Sequence, residues 1–275
     1  MSEPQMDLFA KRASQPAASD LHPLPAAPSP GSMSNSDIID RLPRAGLKEA
    51  PGLAVEAGRR RLESAIPALE ALCRRFSGFG KQRAVPEQEA AFHALGMIGG
   101  RDAKQAMTRL IVNCVVEGPS LLTAIKAASQ AGARLPSNMV LTFLSHRDER
   151  IRTAACAFAT SDFKIIQCLL ECRHDENGDV RSAAMLALGR SGRDEARPWL
   201  MSQLRDRPTA EVIDAVASVA DEDCIILLGR IARTKPDLCA DALEALAIND
   251  HPTASMLLAQ LQGPTRKTAA RATSL

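Results

Sequence analysis

Cys168, Cys172 and His174 are the nearest approach of this sequence to a cluster of soft ligands. Residues four apart share a helix face, so two thiolates and a neighbouring imidazole could meet one metal ion. No fourth ligand stands near them in sequence, and a pair of reduced core thiols is the plainer reading. Asp175-Glu176-Asn177-Gly178-Asp179 is rich in oxygen ligands, like a calcium loop. Val180, however, stands where such a loop needs glycine, and Leu186 where it needs its bidentate glutamate. An acidic turn capping the next helix accounts for the run better. Gly78-Phe79-Gly80-Lys81 lacks the spacing of a phosphate-binding P-loop. No Ser/His/Asp or Cys/His set stands out. The expectation is a protein without catalytic residues, cofactor or metal.

Charge offers a second kind of chemistry. Residues 52–85 hold seven basic side chains (Arg59, Arg60, Arg61, Arg74, Arg75, Lys81 and Arg83) against three acidic ones. Of these, Arg59, Arg60, Arg61, Lys81 and Arg83 are the candidates for contact with nucleic-acid phosphates. The repeats beyond residue 86 carry a small acidic excess, whereas a solenoid that grips DNA along its length would be basic throughout. A solvated face at one end of the fold is therefore the favoured reading of the basic stretch.

The elements that must carry these side chains are helices. The chain has 275 residues with a net charge of +2; it has no tyrosine, one tryptophan, and 3% aromatic residues. That poverty argues against a β-sandwich or barrel, and against a site that stacks bases or sugars on rings. Alanine, at 46 residues, is the commonest type, and it favours helix. Trp199 is expected in the core. Seven cysteines, an odd number set singly in apolar patterns, read as reduced thiols. With no apolar leader segment and no membrane-length apolar run, a cytoplasmic protein is expected. Arginine outnumbers lysine 26 to 8, which together with the alanine excess suggests a bacterial source.

Eight of the seventeen prolines fall in residues 1–51. This stretch reads as a disordered arm with one helical turn at 37–42, and residues 264–275 read as a basic tail. Residues 52–85 read as a helical cap with a basic loop, where Pro67 kinks or splits the helix. From residue 86 the chain repeats. Helix starts fall at Pro86, Pro119, Asp148, Gly178, Pro208 and Pro236, spaced by 33, 29, 30, 30 and 28 residues. Ile151-Arg152-Thr153-Ala154-Ala155 matches Val180-Arg181-Ser182-Ala183-Ala184. A period near 30 with two helices per unit is the signature of a solenoid, because one hairpin cannot cover its own apolar face.

Asp179-Val180-Arg181-Ser182-Ala183-Ala184-Met185-Leu186-Ala187-Leu188-Gly189, with the weaker copy from Glu149 to Ala155, resembles the HEAT family in its short, phycobilin-lyase-like form. The resemblance spans about residues 86–262, and the second, fifth and sixth repeats lack the Val-Arg signature. It implies a right-handed α-α superhelix of about six repeats that binds other macromolecules. It implies a structural ladder role for Arg152 and Arg181. It also implies a concave face lined by the second helices, where Arg109, Lys164, Arg197 and Arg230 would meet a protein partner. HEAT-repeat di-iron hydroxylases use His-Glu pairs, and no histidine here precedes a glutamate, which excludes that group.

One peptide in the arm is sharper. Gln5-Met6-Asp7-Leu8-Phe9 resembles the bacterial sliding-clamp-binding motif, with Met6 for its usual leucine. Leu8 and Phe9 would anchor in an apolar pocket and Gln5 would satisfy its polar rim. An inert tail and a docking peptide for another partner are the competing readings. Together these expectations favour a non-catalytic protein-binding scaffold, tethered to the clamp of DNA replication or repair. A HEAT-like DNA-binding or repair protein is the runner-up. A lyase-like cofactor chaperone using Cys168 comes third. DNA is not the favoured partner, and no membrane partner is expected.

Overall fold

A computed structural model describes residues 29–262, and among them every regular element is helical. The sequence positions the chain breaks as expected. Proline opens α4 (Pro86–Ile98), α6 (Pro119–Gln130) and α15 (Pro252–Gln262), where its missing N–H costs nothing. Side chains cap others. Asp148 accepts from the Arg150 amide to start α8 (Glu149–Ala155). Asn177 accepts from the Asp179 and Val180 amides to start α10 (Gly178–Arg190). Thr209 accepts from the Val212 amide to start α12 (Ala210–Ala217). A 3-10 turn at Pro236–Leu238 leads into α14 (Cys239–Ala247). The first helices α4, α6, α8, α10, α12 and α14 are followed in turn by the second helices α5 (Gly100–Val112), α7 (Ser137–Leu144), α9 (Phe163–Cys172), α11 (Arg197–Asp206), α13 (Glu222–Thr234) and α15. The expected repeat starts therefore coincide with helix starts to within three residues.

The hairpins stack in chain order, and among the described residues the extensive contacts of each helix are with near neighbours in sequence. One contiguous apolar core runs through them, from Met33 and Ile38 at one end to Leu246 and Ala254 at the other. Trp199 packs against it, half-buried. This is an α-solenoid. None of the described helices is long and apolar enough to cross a membrane.

Of the two expected outcomes at Pro67 the split is the one found: it opens α3 (Ile66–Arg75) after a break that leaves Leu62 outside that helix. One boundary differs from expectation, since the arm ends earlier than residue 51. Residues 30–44 form 3-10 turns flanking α1 (Asn35–Arg41), which is capped by a reciprocal Ser34–Asp37 box. Ile38 and Leu42 are wholly buried. The seam lies against α2 (Ala50–Arg59) and α3, so the prolines in this stretch punctuate short turns rather than prevent packing. The remainder of the arm, residues 1–28, and the tail beyond 262 lie outside the described residues.

The first helices α2, α4, α6, α8, α10, α12 and α14 touch in unbroken succession. In the second row, contact is slight between α5 and α7 and between α9 and α11. Small residues allow the close approaches. A Cβ at Gly58 of α2 would stand 2.8 Å from the Ala94 Cα of α4. One at Gly189 of α10 would stand 2.9 Å from the Ala215 carbonyl of α12. The first helices thus form one continuous row of the stack, the inner row, and the second helices form the other, outer row. Arg109, Lys164, Arg197 and Arg230 sit on the second helices α5, α9, α11 and α13.

Candidate interaction surfaces

Ladder arginines hold the loops that join consecutive hairpins. Arg152 grips Asp175 through two bonds, Nε to Oδ2 at 2.8 Å and Nη2 to Oδ1 at 2.9 Å, and its Nη1 donates to the His146 carbonyl. The fork fits a carboxylate in two-point fashion. Arg181, one repeat on, donates to the carbonyls of Asp175 and Glu176. Arg152 holds the Asp175 carboxyl below the usual range. The structural role that the resemblance implied for both arginines is thus what their contacts describe. It also accounts for the acidic run at 175–179. Asp175 is engaged by Arg152 and by the Asn177 amide, and Asn177 caps α10.

Cys168, Cys172 and His174 do not form a ligand set. His174 is exposed, and its Nε2 accepts from Arg173 at 2.9 Å. Cys172 is buried, with its sulfur toward the Leu144 carbonyl. Among the described residues no group of three or more His, Cys, Asp or Glu could hold a metal. Burial pushes the Cys172 thiol up to about 12, and burial does the same to Cys73. A thiol held protonated at neutral pH is a poor nucleophile.

The basic stretch at 52–85 is largely spent on the fold. Glu56 of α2 accepts from Arg59 at 2.7 and 2.8 Å and from Arg60 at 2.6 Å. These bonds, Arg59's the largest contribution, draw the Glu56 carboxyl down to about 2. The rest of the Arg60 fork reaches back to the carbonyls of Met33, Gly31 and Pro30 and to the Asn35 side chain. Arg75 donates to the carbonyls of Pro43 and Ala45. Arg61, Lys81 and Arg83 remain exposed and take part in no ion pair among the described residues. Arg59, Arg60, Arg61, Lys81 and Arg83 are therefore not one phosphate-facing patch. Two of the five neutralise a carboxylate, and Arg60 clamps the N-terminal seam.

The four cations expected to line a concave face are also scattered. Arg197 is tied to Asp194 and to the Val219 carbonyl. Lys164 and Arg230 are exposed on α9 and α13 without a shared groove. Arg109 pairs with Glu70 of α3. It lies in a groove with Arg101, Lys104 and Arg134, cations that sequence reasoning did not single out. Their common signal was weak, because Arg134 is brought to α5 by the α6–α7 turn.

The inner row presents its own surface. One shallow groove crosses α6, α8 and the start of α10, lined by Lys126, Gln130, Arg150, Thr153 and Asp179. A second crosses α10, α12 and α14, lined by Arg190, Glu211, Asp214, Asp241 and Glu244, with exposed Ile248 at its edge. Arg190 is paired with Asp214 at 2.6 Å, so the free charge at this end is acidic. The Gln5–Phe9 peptide lies outside the described residues. No known protein family matches the chain, and no curated protein does.

Proposed function

We propose that this protein is a non-catalytic scaffold of HEAT-like repeats that grips a protein partner along its inner row. Its N-terminal peptide, Gln5 to Phe9, would tether it to a DNA sliding clamp. The observation that carries the scaffold is the unbroken succession of first helices from α2 to α14. It offers one long face whose character changes along its length. Lys126 and Arg150 lie near the middle, and Glu211, Asp241 and Glu244 lie toward the C-terminal end. Such graded charge selects a partner and its orientation more than it adds raw affinity. Ile248, 65% exposed beside the acidic stretch, supplies an apolar anchor of the kind interfaces concentrate their energy on. Ladder contacts of Arg152 and Arg181 support the HEAT-like reading. Seven free thiols suit a reducing cytoplasm.

Two measurements test the two halves separately. Fluorescence anisotropy of a labelled peptide comprising residues 1–15, titrated with sliding clamp, is expected to saturate. Substitution of Leu8 and Phe9 by alanine is expected to abolish that binding. Absence of saturable binding removes the tether. Affinity capture with the full chain, with and without Glu211→Lys and Glu244→Lys, is expected to lose one discrete partner on charge reversal. Capture indifferent to the reversal removes the inner face.

A further inference from the structure

We infer that the groove between α5 and the α6–α7 turn is a binding site for the phosphodiester backbone of duplex DNA. The groove opens where the outer row parts, between α5 and α7, and is an open depression of about 760 Å³. Arg101, Lys104 and Thr108 fall at positions i, i+3 and i+7 on one face of α5, and Arg134 comes from the facing turn. Thr108 fixes the width: its hydroxyl lies 3.0 Å from the carbonyls of both Lys104 and Arg134. Gly132, with φ +69°, turns the chain there, and the Lys104 ammonium lies beside it, 3.4 Å from where a Cβ would stand. No carboxylate lines this groove. The neighbouring groove between α3 and α5 is mixed, with Glu63, Glu70 and Asp102 beside Arg74 and Arg109.

Arg101, Lys104 and Arg134 take part in no ion pair among the described residues. Arg109 lends its charge but is held by Glu70. Unpaired cations converging on one opening repel each other, and an anion relieves that repulsion. The chemistry of the lining decides which anion. Its side chains are charged or polar, with no aromatic or branched aliphatic anchor, so it lacks what a protein interface builds its affinity on. Phosphate recognition needs none: neutralisation and counterion release dominate, and the guanidinium fork matches phosphate geometry. Lacking rings to stack bases, the groove reads backbone and not sequence, and it has no preference for single strands. This site is separate from the inner-row face, and neither reading depends on the other.

The test uses the full chain and a fluorescein-labelled 20-base-pair duplex, followed by anisotropy over a range of salt. Binding is expected to weaken with salt, with a log–log slope of about −3 from three phosphate contacts. The triple variant Arg101→Ala, Lys104→Ala, Arg134→Ala is expected to lose at least tenfold in affinity and most of that slope, with an unchanged circular dichroism melt. Arg61→Ala with Lys81→Ala and Arg83→Ala is expected to change affinity less than twofold. A triple variant that binds like the parent overturns the assignment. So does tighter binding to a single strand than to the duplex. Polyglutamate that displaces the duplex as effectively as unlabelled DNA does would give the groove to an acidic protein and overturn it as well.

Discussion

Arg60 and Glu56 decide whether residues 30–45 belong to the fold. The Arg60 guanidinium satisfies three backbone carbonyls and the Asn35 side chain while Glu56 balances its charge. Glu56 ordinarily titrates near pH ~4.3 when unfolded, and its folded value lies at about 2. A depressed carboxylate stabilises above the unfolded value, and that contribution disappears as pH falls through the folded one. Protection of the Ile38 and Leu42 amides, taken relative to the intrinsic exchange rate at each pH, is therefore expected to fall between about pH 4.5 and 2, ahead of that of α10. In Glu56→Gln that protection is expected to be low already at pH 7 and nearly flat with pH. Equal exchange profiles in the two proteins would sink the clamp. Thiols give a second residue-scale outcome. Cys114 is exposed, at φ +50°, while Cys73, Cys156 and Cys172 are buried, and burial raises the latter three. Iodoacetamide on the native protein is expected to label Cys114 first and the other three only after denaturation, as mass spectrometry would resolve. Of these residue-scale facts, the sequence carried the Arg152 and Arg181 ladder in its repeated Arg-x-Ala-Ala pattern. It hid the roles of Arg60 and Arg75, whose partners lie some thirty residues upstream and follow no local period.

At the scale of elements, close approach in the inner row depends on glycine where a helix would otherwise prefer alanine. Gly58 faces Ala94 and Gly189 faces Ala215. Replacing Gly58 by valine gains a little helix propensity. It also forces a branched side chain onto the Ala94 backbone, which has no rotamer by which to yield. The net cost is expected to be about 1–3 kcal/mol, read as a lowered midpoint in urea. Gly31→Val is the comparison, since a Cβ there meets no atom within 4 Å. If the two variants unfold at the same urea concentration, close packing of α2 on α4 is not what holds that joint. Hairpin starts were legible because proline, Asp148 and Gly178 mark them in the chain itself. Which row packs without a gap was not legible, since it depends on contacts between residues a full repeat apart. The groove beside α5 was missed for the same reason: Arg134 reaches it only when α6 and its turn fold back.

The whole molecule inherits its mechanics from that nearest-neighbour wiring. Among the described residues the extensive contacts run between adjacent hairpins, so stability is a sum of local interfaces and not a single global closure. The N-terminal hairpins carry the basic groove of α5 and the seam clamped by Arg60, and the last three carry the acidic inner face. Two surfaces of opposite sign on opposite ends can thus work without mechanical cross-talk. Truncation after Lys235 tests this. It removes α14 and α15 and uncovers the apolar sides of α12 and α13, including Leu228 and Ile213. Amides of α12 and α13 are expected to exchange at least a hundredfold faster, because their covering interface is gone. Amides of α3 to α8 are expected to stay within about threefold of the intact chain, since none of their partners is lost. DNA affinity at the α5 groove is expected to persist, while capture through Glu211 and Glu244 fails. Uniform loss of protection across all helices would mean that the repeats fold as one cooperative body, and the separation of the two faces would then have no structural basis.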